Sequence, residues 1–218
     1  MATRISCLNN IRQLTLASTL YADDDRFGSF SGRTSPGDQD LNWLLPYAGT
    51  TNLFSCPVTL NFIRPEVDFN RWTGHLGLKD LQNLASGRRR MPGSSYIGFG
   101  FFGEKAKSRS EIPFNGSWLT ISYHRRTLHN VVSYRRRSRA LGMQGHTISP
   151  SEHWIMLDSN SSGLLAMLDP TDNHGIAGSN VGFCDGHSEW IRRSEYLYRK
   201  ELSQDENFVG IDSEALTR

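Results

Sequence analysis

The chain has 218 residues, 37% hydrophobic and 21% charged, a balance that supports one cored domain and excludes a wholly disordered chain. A net charge of +2 excludes a global field that would drive the protein onto nucleic acid. Twenty glycines and eight prolines predict a loop-rich fold containing sheet, not a helix bundle.

Residues 2–22 read as a helix, because good helix formers dominate and neither Gly nor Pro interrupts them. At 100° per residue, Ile5, Leu8, Leu16 and Leu20 form one apolar stripe, and Cys7, Ile11, Leu14 and Tyr21 form another. Two stripes fit either a helix buried within the domain or one contacted from both sides, by its own domain and by something else. Asp23-Asp24-Asp25 would oppose the macrodipole at a helix C-terminus, so the run is assigned to the exit loop. Residues 41–45 form an apolar helical turn stopped by Pro46, and residues 53–57 a short apolar segment closed by Pro57. Residues 61–95 read as irregular, with a possible helix near 78–85. Arg88-Arg89-Arg90 lies between Gly87 and Pro92-Gly93 and marks a solvated loop.

From Ser95 the pattern changes to strands. Residues 96–102 are β-rich but broken by glycine, residues 118–123 alternate, and residues 154–158 form a continuous apolar run expected of a buried strand. Between them, residues 124–150 carry Arg125-Arg126 and Arg135-Arg136-Arg137 with Arg139. Asp185-Gly186 between two apolar segments predicts a two-residue type I′ hairpin. That register pairs Cys184 with His187, Phe183 with Ser188 and Val181 with Trp190. It puts Val181, Phe183, Ser188 and Trp190 on a core face, and Gly182, Cys184, His187 and Glu189 on a more polar one.

Several segments resemble one family, the pseudopilin-like proteins with a prepilin-type N-terminus. Its C-terminal signature is a His, about nine or ten residues, then Asp-Gly. Here His174-Gly175 leads through Asn180-Val181-Gly182-Phe183 to Asp185-Gly186-His187 and Trp190. The start, from Arg4 through Cys7, Asn10 and Leu14 to Tyr21-Ala22-Asp23-Asp24, is similar to the stretch that follows the membrane-spanning half of a prepilin helix. Trp43 with Leu45-Pro46-Tyr47 precedes Phe54-Ser55-Cys56-Pro57, which looks like the family's Cys-Pro. Ser149 to Glu152 with residues 154–158 is similar to the strand before the His. Residues 60–95 and 103–147 carry no such likeness.

The resemblance implies an α+β fold: a pilin-like N-terminal helix packed on an antiparallel β-sheet, with long irregular insertions. Residues 1–26 would be the C-terminal half of a pilin-type helix. Residues 27–192 would be the globular domain, loop-rich over 27–95 and sheet with a terminal hairpin over 96–192, and residues 193–218 a charged tail. It implies a structural subunit or accessory component of a type II secretion-like or type IV pilus-like assembly, with other such subunits as partners and no cofactor. The location implied is extracytoplasmic, periplasm or cell surface. The anchor would be about 20 apolar residues upstream of Ala2, behind a short basic leader. It further implies a disulfide between Cys7 and Cys56, leaving Cys184 free, since three cysteines allow one bridge and one thiol.

Chemistry outside that frame is sparse. Asp172, His174, Cys184, His187 and Glu189 are the weak candidates for a metal site, against the reading that they are structural or solvated. Zinc wants four fixed ligands and only Cys184, His187 and Glu189 share a face in the predicted register. No carboxylate cluster matches a calcium motif. Asp158 would suit a catalytic acid, against a strand-end residue facing a loop, and no Gly-x-Ser-x-Gly elbow occurs. The basic runs with Tyr123, His124, His129 and Tyr134 could bind a phosphate backbone, against the reading that they form a solvated loop or an interface with acidic neighbours. An extracytoplasmic binding module for polysaccharide or DNA is therefore the alternative function, ahead of an enzyme.

Overall fold

Residues 2–24 form a single α-helix, α1 (Ala2–Asp24), two residues longer than expected. The computed structural model describes residues 2–33, 38–71, 73–83, 85, 89–102, 124–137, 140–159 and 168–205. The strand expected over 118–123, Arg88, Arg139 and the tail beyond 205 lie outside the described residues. Asp23 and Asp24 stay helical, and the exit is made by Asp25, whose Oδ2 accepts from Phe27 N at 3.0 Å and Ser29 N at 2.9 Å. Asp24 Oδ2 accepts from Tyr47 OH at 3.0 Å, so the acidic run is tied to neighbours that offset its unfavourable place at the helix end.

The fold is α+β, built on a four-stranded antiparallel sheet with the order β3 (Tyr96–Gly98), β6 (Trp154–Asp158), β7 (Gly178–Phe183), β8 (Ser188–Arg192). Two small antiparallel pairs stand apart from it. β1 (Val67–Asn70) pairs with β2 (His75–Leu78), and β4 (Phe101–Phe102) with β5 (His124–Arg125). The stretch 61–95 thus holds a hairpin that the sequence reading missed, and the helix expected near 78–85 is only a 3₁₀ turn, Lys79–Gln82. Pro46 does not stop the turn before it. It sits in the first turn of α2 (Leu45–Ala48), where its missing N–H costs nothing.

Helix α1 covers one face of the central sheet, and α3 (Arg193–Gln204) the other. Cys7, Ile11, Leu14, Ala17, Tyr96, Ile155, Met156 and Cys184 belong to the core under α1. Trp154, Leu157, Val181, Phe183, Ile191, Tyr196 and Leu197 belong to the core under α3. Burial on both faces explains why β6 is apolar over 154–157 and buried at every position, Asp158 included. A register shift between Trp154 and Met156 inserts Ile155 as an extra residue, so Trp154 faces α3 while Ile155 and Met156 join the core under α1. Gly182 lies where α1 crosses β7, and a Cβ there would overlap Thr15 Oγ1. The second apolar stripe of α1 has no such cover: Ile5, Leu16 and Leu20 are 59%, 47% and 54% exposed, with Leu8 partly buried.

The terminal hairpin is one residue out of the expected register. Gly182 pairs with Ser188, Val181 with Glu189 and Asn180 with Trp190. Gly186 N donates to Phe183 O at 2.9 Å and Phe183 N to His187 O at 3.0 Å. Gly186 alone takes positive φ, +89°. This is a three-residue loop with a glycine bulge, not a two-residue type I′ turn, which would need left-handed backbone at Asp185 too. The slip exchanges the faces of β8. Trp190 leaves the predicted core face and lies half-buried beside Asn180, while Val181 and Phe183 share their face with Glu189 and Ile191.

The basic segment and the charged tail also read differently once folded. Arg126 and Arg136 are buried, and both reach the last turn of α3. Arg126 Nη2 donates to Ser203 O at 2.7 Å, and Arg136 Nη1 to Glu201 O at 2.9 Å and to Leu202 O. Arg136 Nη2 also meets Glu201 Oε1 at 3.1 Å and Asp205 Oδ1 at 3.4 Å. Cations at a helix C-terminus satisfy carbonyls that the helix itself leaves open. Residues 193–205 are therefore a packed helix and its cap, not a tail, and Arg125, Arg135 and Arg137 are the exposed arginines among the described residues of the segment. Arg136→Ala is expected to destabilise the fold by about 3–5 kcal/mol, because it removes a buried cation that meets two buried carboxylates. Arg135→Ala should change urea stability by less than about 0.5 kcal/mol. Equal effects would contradict this division.

Candidate functional site

The polar groups at the carboxyl end of β6 converge beneath the N-terminal half of α1. Asp158 closes β6 and is buried. Its Oδ2 accepts from Asn180 N at 2.7 Å and Asn180 Nδ2 at 3.0 Å, and its Oδ1 from Asn173 Nδ2 at 3.3 Å. Asn173 Nδ2 also donates to Ser95 O at 2.6 Å. Asn180 Nδ2 also lies 3.0 Å from His174 Nε2. His174 Nε2 lies 3.5 Å from Asp158 Oδ2 and 3.8 Å from Cys56 Sγ. The His174 ring stands edge-on to Trp190 with centroids 5.4 Å apart, and Arg4 lies over the other ring system at 4.8 Å.

Cys56 is bonded to Cys7 with a Cα–Cα distance of 5.3 Å, and Cys184 is free and buried. The bridge spans a separation of 49 residues, worth about 3–4 kcal/mol in the chain-entropy account. Asn10 Nδ2 donates to Ser55 O at 3.0 Å, a second tie from α1 to the same loop. Desolvation governs the titration of the cluster. Burial pushes the Asp158 carboxyl up to about 7, against the hydrogen bonds from Asn180 and Asn173 that favour the carboxylate. Burial, reinforced by Arg4, holds His174 down to about 4, so the imidazole is neutral at pH 7.

The sequence candidates divide sharply. His174, Asn180 and Trp190 come together with Cys7 and Cys56. Cys184, His187 and Glu189 do not join His174 as a ligand set. Cys184 is buried elsewhere in the core, and burial pushes its thiol up to about 12. His187 stacks on Phe183 at 4.2 Å and bonds Asp185 at 2.5 Å, and Glu189 pairs with Arg199 at 2.5 Å. Asp185 and Gly186 shape the loop, and Phe183 belongs to the core under α3. Asp172 is used locally, accepting from Asp169 N at 2.9 Å. Asp158 is a strand-end residue that meets Asn173 in the loop before β7, and it is buried at the centre of the cluster. Asn173 carried no signal beyond its place next to His174.

Among the described residues, Cys7, Cys56 and His174 are the one group of His, Cys and acidic side chains placed closely enough to hold a metal ion. A separate cavity of about 360 Å³ is lined by Asp38, Asp40, Asn42, Trp43, Thr73 and His75 among others. No protein-family model matches the chain, and no curated protein or solved structure matches it significantly.

The raised Asp158 value fixes a pH signature. Between the ordinary carboxyl value of 3.8 and about 7, the native state keeps a proton that the unfolded chain has released. The contribution of this group is therefore complete below 3.8 and lost as the pH rises through 7. Asp158→Asn carries no such loss. Its Tm relative to the parent is expected to climb between pH 5 and pH 8, and a pH-independent difference would contradict the assignment.

Proposed function

We propose that the chain is the globular part of a pilin-like or pseudopilin-like subunit, a structural component of a type II secretion-like or type IV pilus-like assembly. The observation that carries this reading is α1. One apolar stripe is buried against the sheet, and the other, Ile5, Leu16 and Leu20, faces outward along the same helix. A surface helix serving its own domain alone needs one stripe. The Cys7–Cys56 bridge supports a location outside the cytoplasm, where disulfides persist. The clustering of His174, Asn180 and Cys56 is consistent with segments of the family resemblance acting as structural ties. Partners would be other pilin-like subunits, and the membrane would be reached through an apolar segment upstream of Ala2. Among the described residues, no helix is long and apolar enough to cross a membrane.

A second reading, an extracytoplasmic module that binds polysaccharide, is favoured by the cavity beside Trp43, whose aromatic ring and the amide and carboxylate groups of Asn42, Asp38 and Asp40 are a chemistry suited to sugars. Nucleic acid gains little support, because Arg126 and Arg136 are engaged with α3. A photo-crosslinking residue in place of Leu20, in the protein produced in its native cells, is expected to trap the N-terminal helix of another pilin-like subunit in the envelope fraction. The same residue in place of the buried Leu14 should trap none. Recovery in the cytosol with all three thiols free would contradict the proposal. Envelope protein without crosslinks, but with polysaccharide binding lost in Trp43→Ala, would favour the second reading.

A further inference from the structure

The Cys7–Cys56 bridge has a third member in contact. The sulfurs and His174 Nε2 all lie within 4.8 Å of one another, and Nε2 is 3.8 Å from Cys56 Sγ. In a tetrahedral zinc site with metal–sulfur bonds near 2.3 Å and metal–nitrogen bonds near 2.0 Å, ligand atoms stand roughly 3.3–3.8 Å apart. The histidine is thus already at ligand spacing from Cys56, and only the two sulfurs, held together by their bond, are too close. We propose that reduction of Cys7–Cys56 converts this cluster into a binding site for a thiophilic divalent cation of the zinc class, with Cys7, Cys56 and His174 as ligands.

The surroundings fit that use. Nε2 is the ring nitrogen nearest Cys56 Sγ, and cation binding would exchange its 3.0 Å contact with Asn180 Nδ2 for the metal–nitrogen bond. A neutral imidazole can ligate without first losing a proton. Both cysteines are fully buried, and two thiolates offset a dication, so the loaded site brings no net charge into the interior. Asp158 Oδ2, 3.5 Å from Nε2, supplies an oxygen next to the site, and Asn180 remains able to orient it. Cys184 lies outside the group.

The redox step balances with a dithiol or phosphine as reductant. Two electrons and two protons break the S–S bond and give two thiols, and the cation then displaces both thiol protons. A small-molecule disulfide reverses this by thiol–disulfide exchange, taking up the two electrons as two thiolates while the bridge re-forms and the cation is released. Bridge and metal are mutually exclusive states of one cluster, and this holds whatever the assembly role of the chain.

The test uses the full chain reduced with a phosphine under argon and titrated with cobalt(II), followed by absorption and circular dichroism. The expected result is about one equivalent bound with thiolate-to-cobalt charge-transfer bands. The oxidised chain should bind none. Cys184→Ser should bind like the parent, Cys56→Ser should lose the bands, and His174→Ala should bind at least tenfold more weakly. X-ray absorption of the parent–zinc complex reads the ligands without any variant, with two sulfurs and one imidazole expected. The proposal is overturned if the reduced chain, folded or not, binds no cobalt, if the oxidised chain binds it equally, if His174→Ala binds as tightly as the parent, or if the spectrum shows three sulfurs or no imidazole.

Discussion

Everything in this fold depends on how closely α1 approaches β7. At the crossing, Thr15 and Ile11 lie where a side chain on Gly182 would have to be. Only a glycine in the strand lets the helix descend far enough to bury Cys7, Ile11 and Leu14 against Met156 and Tyr96. The same approach brings Cys7 within bonding reach of Cys56. It also sets Asn10 on the carbonyl of Ser55 and closes the roof over Asp158 and His174. Thr15 turns its hydroxyl onto Ile11 O at 2.7 Å, and Ser18 onto Phe30 O, so the polar residues on this buried face are satisfied.

The opposite layer is held by charge. Helix α3 lays Tyr196 and Leu197 on the sheet, yet its last turn buries Lys200, Glu201, Ser203 and Gln204. Such an end is tolerable only with its carbonyls and carboxylates partnered, and the partners come from the basic segment, about 65 residues earlier in the chain. Asp205, in left-handed conformation at the helix cap, accepts from Tyr134 OH at 2.8 Å and Arg137 N at 2.7 Å. The two basic strips thus act as a clamp on α3, which also orders the loops that carry them.

Features with a strong local cause were legible in the sequence. The uninterrupted helix formers of α1, its two stripes and the apolar run of β6 all carry their reason in periodicity or composition. The Cys7–Cys56 pairing came from resemblance, since spacing alone left it open. What escaped the sequence was decided between distant segments. A one-residue change of loop type at Cys184-Asp185-Gly186 is locally almost neutral, yet it moved Trp190 off the core face. An interface with acidic neighbours is one reading of the arginine runs, but nothing local distinguishes Arg125 and Arg135, which are exposed, from Arg126 and Arg136, which are buried. The carbonyls that bury them lie in α3. The cluster around Asp158 draws on α1, the Cys-Pro loop, Ser95 just before β3, β6, the loop of Asn173 and His174, β7 and β8, and no window of sequence contains it.

The contact between Thr15 and Gly182 can be measured directly with a double-mutant cycle in urea. Gly182→Ala is expected to cost about 2 kcal/mol or more, because the new methyl group must displace α1. Thr15→Ala removes the hydroxyl that a Cβ at Gly182 would overlap. In that background the same substitution should cost at least about 1 kcal/mol less, a coupling expected only of residues in contact. Strictly additive costs would show that α1 does not lie on β7 at Gly182, and would contradict the account of the fold at its root.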